Sequence, residues 1–191
     1  MRRFFWITLF GVALASLGCV VPSLSPLFTD DDLVFDAQLV GPWIDDDETL
    51  WLFEESARDG YRLIIVSAEE TSLFDAHLLE LGAHRFLDLF PHADSGGDSF
   101  RGLHLVPAHT FYRVDGQGDS RRLVTLDPDW LEEAITSGVV DIAHAWVDGQ
   151  LVLTASTSAL QDLVQSVADD PGAFPSDNET SLLIDLRRTS I

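Results

Sequence analysis

Lysine is missing from this chain: all 11 basic residues are arginine. Set against 32 Asp and Glu, they leave a formal net charge of −21 over 191 residues. Such a surface repels nucleic-acid phosphates and anionic lipid headgroups, so nucleic acid is excluded as a partner. It stays solvated, or it attracts cations and basic peptides. Cysteine occurs once, at Cys19, which excludes an internal disulfide. No glycine-rich phosphate loop, Gly-X-Ser-X-Gly elbow or paired-carboxylate motif is present. His-X-His and His-X₃-His spacings are also missing, so neither a metal nor a cofactor is expected. What the chain does have is apolar content. Hydrophobic residues make up 46% of it, enough for the core of one domain once the N-terminus is set aside.

That N-terminus has a layout of its own. Met1-Arg2-Arg3 is a short positive segment, Phe4 to Leu17 an almost unbroken apolar run, and Gly18-Cys19 follow. This is the order of a secretory signal peptide. An uncleaved anchor is the alternative, since Phe4 to Val21 is near the lower limit for a membrane span. Ser16-Leu17-Gly18-Cys19 resembles the bacterial lipobox. The resemblance implies that residues 1–18, a signal helix, are removed. It also implies that Cys19 is acylated and anchors the protein to a membrane. Val20, rather than Asp, follows the cysteine, which by the same resemblance implies the outer membrane of the bacterial cell envelope. Cleavage leaves nine Arg against 32 acids, a mature charge of −23. Residues 19–32 carry Pro22, Pro26 and Asp30-Asp31-Asp32 and read as a flexible tether, with the domain spanning 33–191.

From residue 39 onward the pattern is one of short strands between tight turns. Leu39-Val40-Gly41-Pro42-Trp43 opens it. Alternating runs follow at Leu50 to Glu55, Tyr61 to Ser67, Leu73 to Leu81, His84 to Phe90, Thr110 to Asp115 and Arg121 to Leu126. A polar, glycine-rich excursion separates Pro91 from Pro107 and reads as a loop. Asp127-Pro128-Asp129 starts a helix over about 127–137, and Ser156 or Thr157 caps a second over about 156–168. In the second, Leu160, Leu163, Val164 and Val167 form one apolar face. A hairpin turns at Asp148-Gly149 between the helices, and Ser181 to Arg187 is the last strand. The fold class is therefore all-β: an antiparallel up-and-down meander closing into a barrel, with two short helices.

Gly41-Pro42-Trp43 at the opening strand resembles the Gly-X-Trp motif of the lipocalins. The late helix, the final strand and Arg187-Arg188 follow that family's order. The resemblance spans roughly 39–188 and implies a lipocalin-like (calycin) barrel. It gives Gly41, Trp43 and Arg187 structural roles, with Arg187 or Arg188 packing over the tryptophan. The run from Leu103 to Phe111 is similar to one in a group of bacterial lipoproteins and implies no activity.

Candidate binding residues come from register. A two-residue turn at Gly82-Ala83 places His77 opposite Asp88, and puts Phe74, Ala76, Leu78, Leu87 and Leu89 on the other, core-facing side. His77–Asp88 is either an ordinary cross-strand polar pair or half of an acid–base unit. His104 and His109 flank Pro107 and join them as candidate ligand-binding residues. The expected function is non-enzymatic: a monomeric, lipid-anchored envelope protein that binds a small apolar ligand or an envelope component. The alternative is an envelope protein with a packed interior that meets a protein partner.

Overall fold

The computed structural model describes residues 20–57, 59–92, 106–175 and 183–190. The signal helix, Cys19, His104 and most of the 91–107 excursion lie outside the described residues.

Seven strands follow one another from the opening motif: β1 (Gly41–Ile44), β2 (Leu50–Glu55), β3 (Tyr61–Val66), β4 (Thr71–Leu81), β5 (His84–Pro91), β6 (Thr110–Asp115) and β7 (Ser120–Thr125). An insertion comes next, made of α1 (Pro128–Thr136), the hairpin β8 (His144–Val147) and β9 (Gln150–Leu153), and α2 (Thr157–Val167). The last strand is β10 (Leu183–Arg188). β1 to β7 pair in chain order, and β10 pairs with both β7 and β1, so eight antiparallel strands close into a barrel. Closure leaves none of these strands with a free edge. β8 and β9 form a separate two-stranded sheet outside the barrel.

Local chemistry accounts for the helix starts. The Asp127 carboxylate accepts from the Asp129 and Trp130 amides, and Pro128 occupies the first helical turn, where no backbone donor is needed. Ser156 caps α2 through the Ala159 amide. The β4–β5 register is the one that the Gly82-Ala83 turn dictates: His77 faces Asp88, Leu79 faces Phe86, and Leu81 faces His84. Gly82 has φ +63°, which glycine adopts without strain.

The strand pleat sorts side chains into two cores. Inside the barrel, Trp43, Trp51, Phe53, Tyr61, Leu63, Leu78, Leu87 and Leu123 belong to one buried cluster. One mouth is closed by charge. Arg85 donates to Glu80 at 2.7 Å, and Asp36 lies 3.6 Å from Arg85 and 3.3 Å from Arg121. The second core lies outside the wall. Leu79, Leu81, Phe86, Phe111 and Val124 point outward and are buried beneath α1, α2, the β8–β9 hairpin and the N-terminal segment. These outward positions are apolar because the insertion covers them.

Two expectations need correction. Residues 20–32 are not a free tether. Val21, Ser23 and Leu27 are buried, and Ser23 bridges His109 on one side and Leu153 on the other. The Leu27 amide donates to Asp88, and Thr157 and Gln161 of α2 donate to the Pro26 and Leu27 carbonyls. The apolar residues between the prolines bury against the outer wall, and that burial outweighs the chain's polar composition. Second, Arg187 does not cover Trp43. It pairs at the surface with Asp46 at 2.6 Å. Strand alternation turns the adjacent Arg188 toward the indole, its guanidinium carbon 4.5 Å from the ring centroid. Arg188 also donates to the Val40 and Gln38 carbonyls. Gly41 lets it approach: at φ +118°, a β-carbon there would stand 2.8 Å from the Arg188 Nη1.

Candidate functional site

The long central strands β4 and β5 carry a row of polar outward residues. Asp75 and His77 leave β4, and Asp88 and Phe90 leave β5 opposite them. His109 stands immediately before β6, its backbone paired with Ser23. The N-terminal segment comes down beside this row and lays Phe28 over it. A cleft of about 300 Å³ results on the outer wall, lined by Phe28, Gly60, Tyr61, Asp75, His77, Phe90 and His109, with Ser56 and Ala57 at its edge. That volume is at the small end of ligand-binding clefts.

Aromatic rings form its walls. Phe28 stacks on His77 with centroids 4.4 Å apart, and Phe90 lies 4.4 Å from His109. Tyr61 donates its hydroxyl to the Asp36 carbonyl, and burial pushes its phenol up to about 12, so it stays neutral. Gly60 is needed for space: a β-carbon there would come within 3.1 Å of the His77 Nε2.

The two candidate histidines differ in their surroundings. Asp88 is fully buried and uses one carboxylate oxygen for the Leu27 amide at 2.8 Å and the other for His109 Nδ1 at 2.7 Å. His109 is thereby oriented, with Nε2 as its remaining polar atom. His77 sits opposite Asp88 in the register, yet its Nδ1 is buried and has no hydrogen-bond partner among the described residues. The register thus brings His77, Asp88 and His109 to one place, but the carboxylate serves His109 and not His77. Asp75 is engaged by His92 Nδ1 at 2.8 Å. His104 lies outside the described residues. Among the described residues, no cluster of three or more His, Cys, Asp and Glu has a metal-holding arrangement.

Burial holds the His77 pKa below its ordinary value, an effect partly offset by Asp88 and then Asp75. Between that lowered value and the unfolded value near 6.5, the unfolded chain binds more protons. Stability is therefore fully present above the unfolded value and declines as pH falls through it toward the folded one. The denaturation midpoint of wild type should drop between about pH 7 and 5. His77→Phe should flatten that drop. Parallel pH curves for the two proteins would refute the placement of His77.

A second, larger groove of about 830 Å³ lies at the charged barrel mouth, lined by Asp36, Glu80, His84, Arg85, Asp115 and Arg121 among others. Within it Arg85 pairs with Glu80 and Asp36, and Asp36 with Arg121, while Asp115 and His84 pair with Arg113 and Asp169.

Phe28, Tyr61 and Gly60 did not stand out in the sequence. The signal for Phe28 was present, since Val20, Val21, Leu24, Leu27 and Phe28 make the supposed tether too apolar for a solvated linker. No protein-family model matches the chain, and neither a curated protein nor a solved structure is significantly similar to it.

Proposed function

We propose that this is a lipid-anchored protein of the bacterial outer membrane, held by acylated Cys19. Its lipocalin-like barrel serves as a monomeric, non-enzymatic binding module for a small, largely apolar ligand or envelope component. The observation that carries the reading is the outer-wall cleft, where Phe28 and Phe90 pack against the imidazoles of His77 and His109. Aromatic walls with a few polar groups among them are the usual lining of a small-molecule site. The large side chains that fill the barrel interior support a binding position on the wall over one in the lumen. Native mass spectrometry of protein extracted mildly from its own host should show a bound small molecule. His77→Phe, which removes the imidazole nitrogens from the cleft wall, should abolish it. A wild-type protein that emerges empty, or a ligand retained equally by the variant, would overturn the proposal.

The packed interior favours a second reading, an envelope protein that meets a protein partner and carries no small ligand. Cross-linking in intact cells should then capture a specific partner, and capture at background level would count against it.

A further inference from the structure

We infer that the β8–β9 hairpin is a second membrane contact, its Trp146–Val147 tip seated at the boundary between lipid headgroups and acyl chains beside the anchor. The inference rests on the acylation of Cys19 proposed above. Trp146 and Val147 are 50% and 55% exposed, an aromatic and a branched aliphatic residue side by side at the turn. Neither is needed to close the hairpin, because the turn is made by Asp148 and Gly149, both at positive φ.

The path of the N-terminal segment says what covers this tip. Ser23 forms a parallel bridge with Leu153 of β9. Leu153 donates to the Pro22 carbonyl, and the Leu24 amide donates to Leu153. In a parallel pairing the chain before Ser23 runs back along β9 toward Gln150 and the turn. Val21 and Leu151 are accordingly both buried in the outer core. Cys19 is four residues before Ser23, at most about 14 Å of extended chain. The hairpin turn lies at the same remove from Leu153, counted back along β9. The tip is therefore within reach of an acyl chain on Cys19. With residues 21–27 packed on the wall, no long linker holds the domain away from the surface.

Tryptophan suits the site, since its ring is apolar and its N–H is satisfied among headgroups. The acyl chains hold the protein to the bilayer, and the hairpin tip adds a second contact that orients the domain on it. The strongly acidic domain, with Asp148 at the tip, makes zwitterionic lipid the matching surface.

The test uses the full-length protein processed in a bacterial host and reconstituted into phosphatidylcholine vesicles with or without brominated acyl chains. Intact mass first reports whether Cys19 is acylated. Brominated lipid should quench tryptophan emission of the acylated wild type. Trp146→Phe should lose at least half of that quenching, while Trp43 and Trp51, both buried, stay unquenched. Val147→Asp keeps Trp146 and should weaken its quenching, and replacing half the lipid with phosphatidylglycerol should do the same. Acylated wild type that is not quenched would overturn the membrane contact alone and leave the hairpin to a protein partner. A mass without acyl chains would overturn the anchoring proposal and this inference together.

Discussion

Trp43→Ala should lower the stability of the domain by about 3–5 kcal/mol. For a domain of this size, that is a fall of about 6–20 °C in thermal midpoint. Trp43 is completely buried at the base of the barrel, and its indole N–H donates to the Leu39 carbonyl at 2.8 Å. Two guanidinium groups flank the ring, Arg188 at 4.5 Å and Arg121 at 5.4 Å from its centroid. Truncation leaves a cavity, orphans a buried carbonyl and removes the surface on which the nearly buried Arg121 rests. Arg187→Ala is the control, because its exposed ion pair with Asp46 should be worth under about 1 kcal/mol. A Trp43→Ala midpoint within about 2 °C of wild type would refute this account of the barrel's base.

Asp88→Ala is expected to cost about 2–4 kcal/mol, and to do so through a segment sixty residues away. The side chain is fully buried and holds both the Leu27 amide and His109 Nδ1. Alanine leaves the buried amide unsatisfied and frees the imidazole to rotate. The Leu27 amide should then exchange with solvent much faster, and the segment carrying Phe28 should loosen from the wall. Asp88→Asn retains a carbonyl oxygen for Leu27 and should recover part of the loss. Unchanged exchange at Leu27 in Asp88→Ala would show that the segment is held by apolar burial alone.

These two residues divide what was legible from what was not. Trp43 was readable through a resemblance: the Gly41-Pro42-Trp43 motif and the arginine pair at the chain's end implied a buried indole covered by a cation. Which arginine covers it depends on one step of strand alternation, and the weakly alternating last strand, Leu183–Arg188, did not fix that step. Asp88 was readable only in part. The two-residue turn at Gly82-Ala83 set its register against His77 and placed both outside the barrel, as observed. Its real partners, Leu27 and His109, lie 61 and 21 residues away and share no turn or period with it.

The sequence alone determined the antiparallel meander, the strand register around its tight turns and the caps of both helices. Each of these is a local property, set by alternation, glycine and capping chemistry within a few residues. Tertiary structure decided the rest. The second core on the outer wall and the folding of residues 20–32 into that core both join distant segments. The outer-wall cleft exists only where four such segments converge, and composition cannot report that convergence because burial is a property of the assembled surface.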